Sequence, residues 1–440
     1  MSLLTFKGGI HPYEGKELTM DQPIEVYLPK GDMVYPLSQH IGAPAKPLVK
    51  KGDRVLTGEK IAEAGGFVSA HIHASVSGTV KGIESRLTAG GNKVESIIIE
   101  NDGAYETIDF ESKVKPLEEM SREDILAAIQ EAGIVGMGGA GFPTHVKLSP
   151  KDENAIDYIL VNGSECEPYL TSDYRRMLEE PDKIIGGLEI VLKLFPNASG
   201  IIAVENNKPK AIELLKEKAA GNPKIQVNTM KTKYPEGAER QLIYANTGRY
   251  INSTMLPADA GCIVHNIDTV VAIYEAMYLG IPLIDRIVTV TGDAICNPKN
   301  YKVLLGTSFQ ELIEASGGYK NGEPEKIISG GPMMGKAVFS TEIPIVKGSS
   351  AILCMQEDEA GMYEPSNCIR CGRCVSVCPG RVNPSLLSKL AERGKLEEFQ
   401  KQDGMECCEC GCCSYVCPAK RHLTQTIAAT RKSILAARKK

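Results

Sequence analysis

The sequence predicts a multidomain α/β protein with β domains, closed by a small helical domain rich in cysteine. Three observations carry this. Between residues 24 and about 100, short Val/Ile-rich runs (PIEVYLP, SIIIE) alternate with turn formers (KKGDRV, AGG, SVSGTV). Between about 118 and 283, apolar strand-like runs alternate with amphipathic helical stretches, the pattern of an α/β core. Ten of the fourteen cysteines then crowd between Cys368 and Cys417.

Four segments are expected: 1–117, 118–284, 285–358 and 359–440. In the first, PLVKKGDRVLTGEKIAE followed by HASVSGTVKGIE resembles the barrel-sandwich fold of biotinyl and lipoyl domains. No Lys stands in the hairpin context where those domains carry a prosthetic group, so the segment reads as scaffold. His71 and His73 alternate and would share a strand face; without a third ligand they read as a satisfied surface pair rather than a metal site.

The second segment opens with a capping box. Ser121 and Asp124 start an amphipathic helix, SREDILAAIQEAG, which Gly133 stops. Strand-like runs (AIDYILVNG, GIIAVENN, KIQVNTM) then alternate with helical ones (KIIGGLEIVLKLF, KAIELLKEKAA). The third segment supplies a strand (RIVTVTG), a helix (SFQELIEAS) and a glycine-rich SGGPMMG, in which Met333 and Met334 read as core fillers. The fourth reads as short helices wrapped around cysteines.

Composition narrows the function. A net charge of −5 gives no support for a nucleic-acid partner. No run approaches the roughly 18 apolar residues of a membrane helix. The start, MSLLTFKGGIHPYEGKE, has no basic region followed by an apolar core, so a cytoplasmic location is expected, with membrane attachment only through partners. The tail from Lys420 to Lys440 carries Lys and Arg without Asp or Glu. It reads as a solvated helix or as a docking surface.

The cysteines are spaced as a repeat. Cys368, Cys371, Cys374 and Cys378, then Pro379, fit C-x2-C-x2-C-x3-C-P; so do Cys407, Cys410, Cys413 and Cys417, then Pro418. This is the bacterial-ferredoxin run for [4Fe–4S] clusters, in which the fourth Cys ligates the other cluster. That resemblance assigns Cys368, Cys371, Cys374 and Cys417 to one cluster and Cys407, Cys410, Cys413 and Cys378 to the second. The alternative is a pair of zinc sites, which does not need this double spacing. Cys408 and Cys412 fall out of register and read as small buried thiols, as does Cys166.

One further run carries chemistry. In GMGGAGFPTHVK, Gly136, Gly138, Gly139 and Gly141 let the backbone approach a flat ring or a phosphate and expose N–H groups to an anion, and Lys147 adds a positive charge. A purely structural glycine turn is the competing reading, and the run is not the dinucleotide pattern G-x-G-x-x-G.

GMGGAGFPTHVK also resembles the flavin/NADH loop of the 51-kDa NADH-binding subunit of respiratory complex I. VNGSECEPYLT (161–171), KYPEGAERQLI (233–243) and HNIDT (265–269) are similar to three more segments of that family. With the N-terminal β domain, the SGGPMMG unit and the tandem cysteine motifs, residues 6–420 resemble the RnfC family, the C subunits of the Rnf ion-translocating oxidoreductase complex.

The resemblance implies four domains: a barrel-sandwich-like β domain, an α/β FMN/NADH-binding domain, a small β-grasp-like domain that binds soluble ligands, and a two-[4Fe–4S] ferredoxin-like domain. It implies two [4Fe–4S] clusters, non-covalent FMN and NAD(H). Gly136, Gly138, Lys147, Asn162 and Asn266 would hold FMN; Gly139, Gly141, Phe142, Glu165, Glu167 and Glu239 would face the nicotinamide nucleotide. Met137 stands where complex I has Arg, Ser164 where it has Asp, and Ala238 replaces the first of its paired Glu.

The implied function is that of an NAD(H)-dependent oxidoreductase subunit in a Na+- or H+-transporting ferredoxin:NAD+ complex. It would sit at the cytoplasmic face of the membrane, with other Rnf-type membrane and iron–sulfur subunits as partners and ferredoxin as an indirect one. No general acid or base is assigned. Two other readings stand: a soluble flavin/iron–sulfur reductase similar to cobalamin reductases, and a wiring subunit with an inactive nucleotide site.

Overall fold

A computed structural model describes residues 3–358 and 360–438. Its centre is a four-stranded parallel sheet of Tyr158–Gly163, Ser199–Glu205, Ile225–Met230 and Cys262–Asn266. Three of the four strands are short, mostly apolar and buried, as strands covered on both faces require, whereas the edge strand Ile225–Met230 carries Gln226, Asn228 and Thr229 and is buried only at its ends. Ile159, Val161, Ile202, Val204 and Ile263 bury one face under the helices Pro181–Lys193 and Ile267–Leu279. Leu160, Ile201, Ala203 and Val264 bury the other against Leu242 and Ile243 of the helix Glu239–Thr247.

In space the sheet runs Ile225–Met230, Ser199–Glu205, Tyr158–Gly163, Cys262–Asn266. The chain therefore steps outward from Tyr158–Gly163 for two strands and then crosses to its other side. The carboxyl ends of Tyr158–Gly163 and Cys262–Asn266 flank that switch point, where open α/β sheets bind ligands. The capping box forms as the sequence predicts: Asp124 N–H donates to Ser121 Oγ at 3.1 Å, Ser121 N–H donates to Asp124 Oδ2 at 3.0 Å, and the helix spans Arg122–Glu131.

Residues 33–101 form two small antiparallel sheets, one of Met33–Pro36, Lys93–Asn101, Gly78–Leu87 and Arg54–Val55, the other of Lys46–Pro47, Lys60–Glu63 and Ile72–His73. Met33, Tyr35, Val55, Ile61, Ile72, Val80, Ile97 and Ile99 fill the space between them. A six-stranded mixed sheet contains Asp285–Thr291, Lys299–Leu304, Lys326–Ser329, Lys336–Val338 and Ala351–Met355, with the helix Phe309–Ala315 packed on it.

The sixth strand of that sheet is Ile24–Tyr27, parallel to Lys299–Leu304. The PIEVYLP run is thus a strand, but one that leaves its sequence neighbours to complete a sheet far along the chain. Local alternation specifies a strand without specifying its partner. Residues 3–16 belong to neither small sheet. Leu4 bridges Met230, Ile10 bridges Tyr234, and Gly9 N–H donates to the Val377 carbonyl at 2.8 Å.

The last segment has the expected short helices: Arg373–Ser376, Pro384–Glu392, Leu396–Lys401, Cys412–Tyr415 and Leu423–Ala437. The basic tail is more than a solvated helix, because Ile427 and Ile434 are buried in this domain's core with Leu387 and Phe399, and Leu423 is buried beside Cys374 and Cys413. Lys439 and Lys440 lie outside the described residues. No described helix is long and apolar enough to cross a membrane.

Candidate functional site

The switch point carries the residues that the sequence singled out. Asn162 and Asn266 end adjacent parallel strands and are paired in register. Each is already partly engaged. Asn162 donates from Nδ2 to the Gly237 carbonyl at 2.8 Å and accepts Ser164 N–H at 3.1 Å. Asn266 donates to Asp173 Oδ2 at 2.7 Å and caps the helix Ile267–Leu279 by accepting Asp268 N–H at 2.9 Å. Each amide retains one N–H for a ligand.

The glycine loop lies against these ends. Met137 N–H donates to Thr269 Oγ1 at 3.0 Å. Gly138 has φ +76°, and a Cβ there would lie 3.0 Å from Asn266 Nδ2, so the strand end dictates glycine. Beside Gly139, by contrast, a Cβ would meet no protein atom within 4 Å. The loop therefore has a packed side and an open side. Its far end is held by the N-terminal β domain, where Ile41 N–H donates to the Gly141 carbonyl at 3.3 Å. Phe142 is half-buried beside it.

Lys147 Nζ donates to the Val264 carbonyl at 2.9 Å and stands 3.8 Å from Glu239 Oε1, with about a quarter of its side chain exposed. Three buried polar groups of these same segments lack a partner among the described residues: Thr144 Oγ1, Ser164 Oγ and both ring nitrogens of His265. Burial first, and Lys147 second, push the His265 imidazole down to about 3, so the ring is neutral. A cradle with an open glycine, a free cationic N–H and orphaned hydroxyls fits a phosphorylated flavin.

The two glutamates of VNGSECEPYLT face inward. Glu165, in left-handed backbone at φ +46°, accepts N–H bonds from Asp173 at 2.8 Å and Tyr174 at 3.3 Å, at the start of the helix Ser172–Glu179. Glu167 Oε1 accepts N–H bonds from Met333 at 2.6 Å and Met334 at 3.0 Å, fixing SGGPMMG against the crevice. Burial raises both carboxyls. Both carboxylates, expected from the sequence to face the nicotinamide nucleotide, are engaged by these backbone N–H groups. Glu239 keeps an exposed carboxylate at its helix N-terminus.

Several contributors were not legible in the sequence. Asp268 is 1% exposed and pairs with Arg176 at 3.0 Å and Arg286 at 2.6 Å. Burial pushes this carboxyl up, but the two guanidiniums win and hold it below the usual range. Arg286 also reaches Met137 Sδ at 2.7 Å. The positive group that Met137 does not supply thus arrives beneath the loop from the strand Asp285–Thr291. Asp173 is pushed up to about 8 by burial, then by Asp268 and Glu165. Lys16 threads in from the N-terminal segment and donates to the carbonyls of Glu165, Glu167 and Leu170 at 2.9, 3.2 and 2.6 Å.

The two cysteine motifs share one backbone path. Arg370 and Glu409 have φ +58° and +57°, Gly372 and Gly411 +76° and +83°, Arg381 and Lys420 +56° and +52°. Left-handed residues at these positions turn successive N–H groups toward an anionic centre, as iron–sulfur sites require. One such N–H, of Glu409, donates to Cys407 Sγ at 3.4 Å. Cys374, Cys413 and Cys417 pack together around Leu423, while Cys378 and Cys407 pack into another core. Among the described residues no three His, Cys, Asp or Glu side chains are placed to hold a single metal ion.

The second motif is built into the crevice wall. Tyr234 Oη donates to the Cys410 carbonyl at 2.7 Å, and Cys166, Met333, Cys408, Cys410 and the fully buried Cys412 share one apolar cluster with Tyr234. Arg240 and Ser253 N–H hold Glu406 at 2.8 and 2.9 Å.

Fold and site together define a modular oxidoreductase in which an α/β flavin-type crevice abuts an iron–sulfur domain. Four family models match in the same order: the RnfC barrel sandwich hybrid domain over residues 4–104, the Nuo51 FMN-binding domain over 129–275, the SLBB domain over 287–337 and a 4Fe-4S binding domain over 362–382. The chain is 46% identical over 439 residues to the C subunit of the Na(+)-translocating ferredoxin:NAD(+) oxidoreductase complex of Acetobacterium woodii, covering 99% of this chain and 98% of that one. It is 47% identical over 401 residues to the proton-translocating counterpart of Clostridium ljungdahlii, covering 91% and 87%. The chain belongs to the family of Rnf complex C subunits. A crystal structure of an NAD+-reducing [NiFe]-hydrogenase in the H2-reduced state has a similar fold, with a TM-score of 0.50 and 16% identity over 74% of this chain and 62% of that one.

Proposed function

We propose that this chain is the NADH-side peripheral subunit of an ion-translocating ferredoxin:NAD+ oxidoreductase complex, held at the cytoplasmic face by the complex's membrane and iron–sulfur subunits. It would bind FMN and NAD(H) at the switch-point crevice and two [4Fe–4S] clusters in the cysteine domain. The observation that carries this reading is the Tyr234–Cys410 contact, which makes one wall serve both the flavin crevice and a cluster motif.

When bound, FMN exchanges hydride for single electrons, and each cluster takes one electron at a time. The chain's residues bind and position. Gly136 and Gly138 present backbone to the flavin, and Lys147 sets a positive charge and a spare N–H at its phosphate. Asn162 and Asn266 offer their remaining amide protons. Gly139, Gly141, Phe142 and Glu239 face the nicotinamide nucleotide, while Glu165 and Glu167 hold that wall in place.

On the ferredoxin pairing, Cys368, Cys371, Cys374 and Cys417 form one set and Cys407, Cys410, Cys413 and Cys378 the other, and the core shared by Cys374, Cys413 and Cys417 supports two adjacent clusters. The mixed sheet carrying one helix over 285–358 supports a β-grasp-like domain. We keep 117, 284 and 358 as the expected domain boundaries, with Ile24–Tyr27 of the first segment completing the sheet of the third.

The test uses the whole chain, reconstituted anaerobically with iron, sulfide and FMN. NADH should bleach the flavin absorbance and reduce the clusters. Protein that retains FMN and iron yet shows no NADH-driven bleaching would leave only a wiring subunit.

A further inference from the structure

The two cysteine motifs share a backbone path but not an environment. Cys410, 7% exposed, and the sealed Cys412 lie under Tyr234, Ile10 and Met333, and Cys413 is buried beside Leu423 and Cys374, the one deeply buried cysteine of the first motif. Around the first motif every residue from 360 to 373 is exposed, the ligand candidates Cys368 and Cys371 included. Ile369 is 67% exposed, and Met362, Tyr363 and Val375 lie open with it.

The charge at this face is one-sided. Arg370 and Arg373 flank Cys371 and are exposed, and Lys420 sits 4.5 Å over the Tyr363 ring. Between residues 360 and 373 only Glu364 is acidic, in a chain whose net charge is −5. Apolar side chains ringed by cations, around two uncovered ligand cysteines, describe a docking face.

From this asymmetry we infer that the Cys368–Cys378 face is the electron port of the chain, and that it docks an acidic iron–sulfur protein through Arg370 and Arg373. At the port one electron passes: the carrier's reduced cluster is oxidised by one electron and the chain is reduced by one. No bond forms and no proton moves. The buried second motif is then the flavin-side end. The inference rests on the reading that clusters fill both motifs.

The probe is an acidic bacterial two-[4Fe–4S] ferredoxin, with binding to the whole, cluster-loaded chain measured by titration calorimetry at low and high salt. Arg373→Glu should weaken the dissociation constant about fivefold or more at low salt and flatten its salt dependence. Arg373→Gln should give a smaller loss in the same direction. Iron content and NADH-driven flavin bleaching should be unchanged in both. Lys216→Glu, the same charge change on a distant helix, should leave binding alone. Unchanged binding in the Arg variants, or an equal loss in the Lys variant, overturns the inference. Wild-type protein with far fewer than about eight irons sinks the two-cluster reading instead.

Discussion

The glycine loop offers a test that separates fold from ligand. On its packed side, Gly138→Ala forces a side chain into left-handed backbone, which costs about 1–2 kcal/mol. The new methyl would also lie 3.0 Å from Asn266 Nδ2. Asn266 cannot yield freely, because its amide donates to Asp173 at 2.7 Å and its oxygen caps the following helix at 2.9 Å. Losing one of those bonds adds about 1 kcal/mol. Gly138→Ala should therefore destabilise the apoprotein by about 2–3 kcal/mol.

On the open side, Gly139→Ala meets no protein atom within 4 Å. The apoprotein should melt within a degree or so of wild type, since surface changes of this kind cost under about 0.5 kcal/mol. A flavin or nicotinamide ring lying against that backbone would meet the methyl directly, and overpacking costs about 1–3 kcal/mol. FMN or NADH affinity should fall roughly 5- to 150-fold. Thermal melting of the apoproteins and fluorimetric FMN titration read the two effects apart, with iron content as the control. A Gly139→Ala protein that melts as low as Gly138→Ala, or that binds FMN and NADH like wild type, would refute the assignment of the open side to the ligands.

Three further outcomes follow from the structure. Wild-type protein purified anaerobically should carry about eight irons, and Cys371→Ala should lose one cluster by iron analysis and electron paramagnetic resonance while keeping the other. Asp268→Asn removes the charge shared by the buried Arg176 and Arg286; a loss of about 3–5 kcal/mol is expected, and an unshifted melting midpoint would show that the triad does not stabilise the loop's floor. Lys347, buried at the junction of the β domain and the flavin loop, donates to the Gly133 carbonyl at 2.6 Å, and burial lowers it to about 7 from 10.5. The folded chain then releases this proton near pH 7 and the unfolded chain only near 10.5, so this group makes stability rise across that window. Lys347→Met should remove the rise, read as melting midpoints at pH 7 and 9.

What could be read from the sequence and what could not divide along a physical line. The capped helix Arg122–Glu131, the parallel strands and the double cysteine run each rest on neighbours within a turn or two, and local chemistry declares them. The strand partner of Ile24–Tyr27, the burial of Lys16 and the reach of Arg286 to Met137 join residues more than a hundred positions apart, where periodicity carries no information. Met137 shows the consequence. Against complex I it reads as a missing charge, yet the structure brings a guanidinium to its sulfur at 2.7 Å from a strand that the motif does not include. The tail shows the converse. Its Lys and Arg suggested a surface device, while Leu423, Ile427 and Ile434 make it part of the cluster domain's core. A helix that buries such residues contributes about 1.5–3 kcal/mol for each full burial. Removing residues 423–440 is therefore expected to lower cluster retention, read as the iron content of the truncated chain.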